Sequence, residues 1–401
     1  MMLLSLILLF ATSLSYAKTN EKALLAVAIM VKNEAPVLEK TLEPFAQAGV
    51  THMLIYDTGS TDGTPEVAQK FFKEHGIKHG LVIKEPFIDF AASRNRLLDL
   101  AKKELPNATF VAMPDAEWYL NSGDELINFC KQQLNNSTNA FIMHVLNKET
   151  GIYRPCLFRN NGKARFKGRV HECIELGVQV VPDCIFFTRG LSEKGRTKTK
   201  ERFIQDRDFL LQSYAEDPHD PHTVFFLAQT YSCLGELATA YKYYQERMKL
   251  PGCNENLFET LLRMGALIDI LSRTDTTYTW DAAHKHYLEA FNLRPHRAEP
   301  LVMIAEYYIK HNQPELAFIF AQRACQLPIP QEDYNGVDLQ TYNFDRYALL
   351  STAAVYVHEY TIGLWATEQA FKARPHLSHL QEQIAMYHHK IALTPKSFAH
   401  A

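Results

Sequence analysis

Two apolar runs, ALLAVAIMV and MLIY, each end abruptly in a polar cluster, and this pairing over residues 23–62 constrains the fold more than any other feature of the chain. A continuous apolar run of this length suits a strand buried on both faces of a parallel sheet. The carboxyl ends of such strands are where open α/β sheets bind ligands. The second cluster, YDTGSTDGT, places Asp57, Ser60 and Asp62 beside Gly59 and Gly63. A plain strand-to-helix turn, with Thr64 as N-cap and Pro65 at the first helical position, accounts for residues 63–65. It leaves two acids and a run of small hydroxyl residues unexplained.

The 401 residues are enough for two domains, and 47% hydrophobic with 22% charged content predicts a packed protein. From Ala23 to about Phe187, strand-like and helix-like segments alternate: MLIYD, EVAQKFFKEHG, LVIKE, AASRNRLLDLAKK, TFVAMPD. This alternation predicts a mostly parallel sheet with helices on both faces. Near Leu191 the character changes. SEKGRTKTKER is basic and polar and reads as a connection or a mobile loop, with a lid over a diphosphate as the functional alternative. Beyond it the strand signals vanish and a pattern recurs. Leu227-Ala228-x-x-Tyr231-x-x-x-Gly235, followed by Ala238, matches Ile304-Ala305-x-x-Tyr308-x-x-x-Asn312, followed by Ala317. HYLEAFNLRP (286–295) suits the second helix of a middle unit. This half resembles the tetratricopeptide repeat, with Ala at helix crossings and Tyr or Phe filling the gaps.

MMLLSLILLFATSLSYA is apolar and too short to span a bilayer comfortably, and Ser15-Tyr16-Ala17 offers a small-x-small cleavage pattern. A signal peptide over 1–17 is expected, although its start lacks Lys and Arg; a signal-anchor is the main rival. The remaining divisions are 22–190, a basic linker or lid over 191–216, and a helical domain over 217–395. The expected location is the secretory lumen, endoplasmic reticulum or Golgi, for a eukaryotic or viral chain, and export or anchoring otherwise. Seven cysteines show no metal or redox spacing, and a formal net charge of −3 argues against nucleic-acid binding.

The third strand ends in Asp115-Ala116-Glu117-Trp118. On an extended segment, carboxylates at i and i+2 point the same way and could grip one divalent cation; the alternative is a solvated acidic turn. Here the chain resembles the inverting family 2 glycosyltransferases of the GT-A type. MVKNE (30–34), YDTGSTDGT (56–64), DFAASRNRLLDLA (89–101) and DAEW (115–118) follow the family's order. FKGRVHECI (166–174) looks like the Gly-x-Val-His-Glu stretch of a subgroup joined to tetratricopeptide repeats. The implied fold is an α/β, Rossmann-like nucleotide-diphospho-sugar transferase domain followed by an all-α repeat domain.

The resemblance implies roles residue by residue. Asn33 and Glu34 would lie beside the nucleotide, and Asp57 would bond the uracil or ribose. Asp62 would assist or merely cap the following helix. Arg94 would approach the diphosphate or sugar, supported by Asn95. Asp115 would meet the ribose and a Mn²⁺ or Mg²⁺ ion, and Glu117 the ion, although the family more often has Asp there. His171 would complete the metal site. Glu172 would be the general base, with Glu175 and Asp183 as alternatives. The expected activity is metal-dependent, inverting transfer of a sugar from a nucleotide-sugar, UDP-linked, to a hydroxyl of a glycan, protein or lipid acceptor. The repeats would hold the acceptor, a partner protein or another copy of the chain. The first rival is a binding or scaffold protein working through its repeats, with a degenerate transferase domain. A nucleotidyl- or phosphotransferase ranks lower, because MVKNEAP lacks a glycine-rich phosphate loop.

Overall fold

The first apolar run forms β1 (Ala23–Val31) and the second β2 (His52–Asp57), parallel and in register from Val27 opposite Met53 to Val31 opposite Asp57. The computed structural model describes residues 22–146, 151–174, 177–190, 200–330, 333 and 336–394. The signal peptide expected at 1–17, the basic stretch 191–199 and Glu175 lie outside the described residues.

Side-chain alternation along β1 builds a core on each face of the sheet. Leu25, Val27 and Ile29 face Leu38, Leu42 and Phe45 of α1 (Ala35–Gln47), Phe71 of α2 (Thr64–Glu74) and Leu126 of α4 (Gly123–Gln132). Ala26 and Ala28 face Leu97, Leu98 and Ala101 of α3 (Phe90–Glu104). The remaining strands are β3 (His79–Lys84), β4 (Ala108–Ala112), β5 (Trp118–Leu120), β6 (Ala140–Leu146), β7 (Gly151–Arg159), β10 (Val178–Val180) and β11 (Phe186–Arg189). Among the described residues the main sheet has the order β3-β2-β1-β4-β7-β6-β11-β5, with β10 also beside β6. A separate hairpin pairs β8 (Phe166–Lys167) with β9 (Cys173–Ile174).

The first four strands are parallel, whereas β7 runs antiparallel to both β4 and β6, so the sheet is mixed. The short link from β6 to β7 allows only a hairpin, since a parallel return needs a long crossover. From β1 the chain builds outward to β2 and β3 on one side, then returns to place β4 on the other. The crevice at the carboxyl ends of β1 and β4 is therefore a switch point, where open sheets hold ligands.

The boundary of the helical half is corrected. Lys200–Glu216, expected within a linker, is helix α5, anchored where Leu210 is buried against Val170 and Leu227. Among the described residues four hairpins follow. They are α6 (Pro221–Cys233) with α7 (Leu237–Met248), α8 (Asn254–Leu271) with α9 (Trp280–Leu293), α10 (Glu299–Lys310) with α11 (Pro314–Cys325), and α12 (Arg346–Tyr356) with α13 (Tyr360–Ala373). Helix α14 (Ser378–Leu393) closes the array on α13. Gly235, Asn312 and His358 each take a left-handed conformation two residues after α6, α10 and α12, which ends the helix and reverses the chain. The middle unit is as expected, with 286–295 falling mostly in α9. The small residue packed like Ala317 in the first unit is Ala240 rather than Ala238; both are fully buried, and Ala238 is exposed. All seven cysteines are unpaired, and among the described residues no helix is long and apolar enough to cross a membrane.

Candidate active site

The loops that leave β1 and β2 are latched to each other at the switch point. Asn33 donates its backbone N–H to Ser60 Oγ at 2.8 Å and accepts the Thr61 N–H on Oδ1 at 2.7 Å. Glu34 N–H donates to Thr64 Oγ1 at 2.8 Å, and Ala35 N–H to Asp62 Oδ2 at 3.1 Å. Asn33 is left-handed, with φ 59°, which places both of its polar groups on the neighbouring loop. Asp62 also accepts the N–H and hydroxyl of Thr64 on Oδ1. Both of its oxygens thus organise the starts of α1 and α2. Slight burial pushes its carboxyl up, but the bonds from Thr64 and Ala35 outweigh this and hold it below the ordinary value. Asp57 is buried at the end of β2, with Oδ1 accepting the Ser60 N–H at 2.9 Å.

Asp115-Ala116-Glu117 is a turn, not the extended segment expected from the sequence. Trp118 N–H donates to the Asp115 carbonyl at 3.0 Å, and Thr41 from α1 donates its hydroxyl to the Ala116 carbonyl. The cause is the burial of Trp118, which starts β5 and packs against Phe187. In this turn the two acids have different neighbours. Asp115 Oδ1 accepts from Arg94 at 2.7 Å. Glu117 lies with Glu34 near Tyr119, whose phenol is pushed up by burial and then by these two acids. Gly190 donates its N–H to the Glu117 carbonyl at 2.7 Å.

Arg94, in the first turns of α3, is the hub of the site. Its Nε donates to Glu172 Oε1 at 2.6 Å while its Nη2 holds Asp115, and the guanidinium lies 5.5 Å from the Phe166 ring centre. The Arg94 side chain is 12% exposed, Glu172 16% and Asp115 47%, so the network is dry at one end and wet at the other. Burial lowers the Arg94 pKa, but the two carboxylates more than reverse this and hold the guanidinium charged. Asn95 bonds both polar groups of Phe166, donating Nδ2 to its carbonyl at 2.9 Å and accepting its N–H at 2.8 Å. It therefore fixes β8, on which Arg94 leans.

His171 follows a left-handed backbone, with φ 54°, at a cost of roughly 1–3 kcal/mol for such conformations. Its ring stacks on Phe226 of α6 at 4.1 Å, and its carbonyl accepts from His222 Nε2 at 2.8 Å. Among the described residues no three His, Cys, Asp or Glu side chains cluster as a metal-ligand set, so Asp115, Glu117 and His171 are not gathered as one. The structure thus joins Arg94, Asp115 and Glu172. It puts Asn33 and Asp62 into the loop latch, Asn95 onto β8, and Glu34 with Glu117 beside Tyr119. Asp183, the alternative base, accepts from the Tyr153 hydroxyl at 2.8 Å.

Sequence reasoning missed Ser60 and Thr64 as latch residues, Tyr119, and His222 with Phe226. The last pair is spaced i, i+4 in a helix after Asp220-Pro221, a spacing that any core face shares.

Residues 26–153 match the family model described as glycosyl transferase family 2; Phe166–Ile174 lies beyond the matched stretch. No curated protein matches the chain. Three solved structures are similar to its helical half. The C-terminal part of a TPR repeat-containing protein from Cytophaga hutchinsonii is 13% identical over 47% of this chain and 67% of that one, with a TM-score of 0.37. A tetratricopeptide repeat protein from Parabacteroides merdae is 13% identical over 48% and 68%, with a TM-score of 0.34. A thermophilic TPR protein from Thermus thermophilus is 15% identical over 48% and 92%, with a TM-score of 0.31. Likeness this remote does not bear on function, and the description as paired helices rests on the packing given above.

Proposed function

We propose that this chain, a family 2 glycosyltransferase domain joined to tetratricopeptide-like helix pairs, transfers a sugar from a UDP-linked nucleotide-sugar to an acceptor hydroxyl with inversion. The observation that carries the reading is the Glu172–Arg94–Asp115 network at the β1/β4 switch point. One buried cation there joins the candidate base to the candidate donor-binding acid. Asp57 and the Asn33–Ser60 latch would form the wall for the nucleoside. Arg94 would face the diphosphate, and Glu172 would take the proton from the acceptor hydroxyl as it attacks the anomeric carbon opposite the departing UDP. The acceptor is a hydroxyl of a glycan, protein or lipid. The helical pairs would hold that acceptor, a partner protein or a second copy of the chain. On residues 1–17 alone, the chain would act in a secretory lumen if eukaryotic or viral, and would be exported or anchored otherwise.

A Mn²⁺ or Mg²⁺ ion fits this site as a shared ligand rather than a caged one. The hard oxygens of Asp115 and Glu117 would hold it, and donor phosphates and water would fill the remaining positions, as is usual for such ions. When bound, it would offset the charge that develops on the leaving diphosphate. His171 is left out of the ligand set because Asp115, Glu117 and His171 are not clustered.

The test is a thermal-shift and UDP-release panel of UDP-sugars with Mn²⁺. A donor that binds only the folded state raises its melting temperature. Glu172→Gln should retain donor binding and lose turnover by about 10²–10⁴-fold. Asp115→Asn should lose the Mn²⁺-dependent part of donor binding. Absence of both stabilisation and UDP release across the panel would overturn the proposal. It would favour a binding protein working through its helices, a reading supported by the mutual neutralisation of Asp115 and Glu172 by Arg94.

A further inference from the structure

We propose that the helical domain positions the catalytic loop, with His222 and Phe226 of α6 holding His171 so that Glu172 meets Arg94. The catalytic part of this inference rests on the proposed function. Three consecutive residues of the loop are each held by the helical half. The Arg169 guanidinium bonds Glu216 at the end of α5. Val170 is buried against Leu210 of α5 and Leu227 of α6. His171 stacks on Phe226 and accepts from His222 Nε2, which must carry the proton because a carbonyl oxygen can only accept. The next residue, Glu172, returns to the transferase domain through Arg94. The helical half thus holds three consecutive residues, and the transferase domain holds the fourth through Arg94.

Two backbone features accompany this grip. His171 holds φ 54°, a conformation that a residue with a Cβ keeps where its surroundings enforce it. Gly168 holds φ 94°, and a Cβ there would lie 2.9 Å from His222 Cε1, so the His222 ring fills space that only glycine leaves open. The far side of the loop is tied down as well, with Phe90 N–H donating to the Arg169 carbonyl at 3.0 Å. His222 and Phe226 lie one helical turn apart on the same face of α6, and their rings also touch each other at 4.7 Å. They are positioning residues, since each acts on Glu172 through His171.

The test uses the full chain with His222→Ala, Phe226→Ala and His222→Gln, whose amide restores an N–H donor. Amide exchange over residues 168–172 should quicken at least about tenfold in the two alanine variants and return towards wild type in His222→Gln, with exchange in β1 and β2 unchanged. Turnover of UDP-sugar should fall by about 10²-fold in kcat with little change in donor KM, and His222→Gln should recover most of it. Unchanged exchange at 168–172 in both alanine variants overturns the inference. So does equal loss in His222→Gln and His222→Ala. If the wild-type protein turns over no donor, the proposed function fails, while the exchange pattern still decides whether α6 holds the loop.

Discussion

The Arg94 network allows a quantitative prediction because its two arms differ in one respect. Nε to Glu172 spans 2.6 Å between side chains 12% and 16% exposed, whereas Nη2 to Asp115 spans 2.7 Å to a side chain 47% exposed. Distance is nearly equal, so solvent decides the difference. A charge-assisted hydrogen bond between buried groups contributes about 1.5–3 kcal/mol. An ion pair open to water contributes about 0.2–1 kcal/mol, because screening and side-chain entropy offset the attraction. Double-mutant cycles of Arg94→Met with Glu172→Gln, and of Arg94→Met with Asp115→Asn, should therefore give couplings differing by roughly 1–2 kcal/mol in favour of Glu172. Arg94→Met alone should cost about 1–3 kcal/mol, since it leaves the Glu172 carboxylate, only 16% exposed, without its cation. The assay is urea unfolding followed by the fluorescence of Trp118, which lies in the transferase core. Trp280 and Trp365, the other two tryptophans, are replaced by Phe so that the helical half stays silent. A coupling to Asp115 equal to or larger than that to Glu172 would refute the argument that exposure ranks the two arms.

Asp62→Asn should lower stability at neutral pH and leave it unchanged in acid. The folded carboxyl sits below its ordinary value of 3.8, so its contribution is complete above that pH and fades as the pH falls through the folded value. Acid titrations of the two proteins should converge once the pH falls below the folded value, and a gap that persists at the acid end would contradict the assignment. Asn95→Ala removes both bonds to Phe166 and should cost roughly 1–3 kcal/mol, with amide exchange rising in β8 before β4. Equal protection of β8 in both proteins would show that the hairpin holds without Asn95.

The legible parts of this molecule were those with a local period or a local turn signal. β1 and β2 are continuous apolar runs, and the paired helices repeat Ala and Tyr at fixed offsets. The readings that changed each depended on a distant contact. Asp115-Ala116-Glu117 looked extended, but Trp118 is drawn into a core with Phe187, and the segment is a turn in which Asp115 bonds Arg94. Lys200–Glu216 looked like a solvated connection by charge, but Leu210 is buried between the domains and the segment is helix. Asp62 was an open choice between ligand and cap, and its bonds to Ala35 and Thr64 place it in the loop latch and at the start of α2.

By itself the sequence determined the two-part architecture and the parallel strands whose carboxyl ends face the crevice, and it offered candidates for the polar residues there. Burial on both sheet faces and at helix crossings demands particular residue types at regular intervals, and such demands leave a mark within a dozen residues. The tertiary structure alone decided which of those polar residues meet. Glu172 is 78 residues from Arg94, and His222 is 51 from His171, separations over which no periodic signal persists. A single hydrogen bond across such a distance needs only one donor and one acceptor, and it leaves no pattern in the chain that makes it.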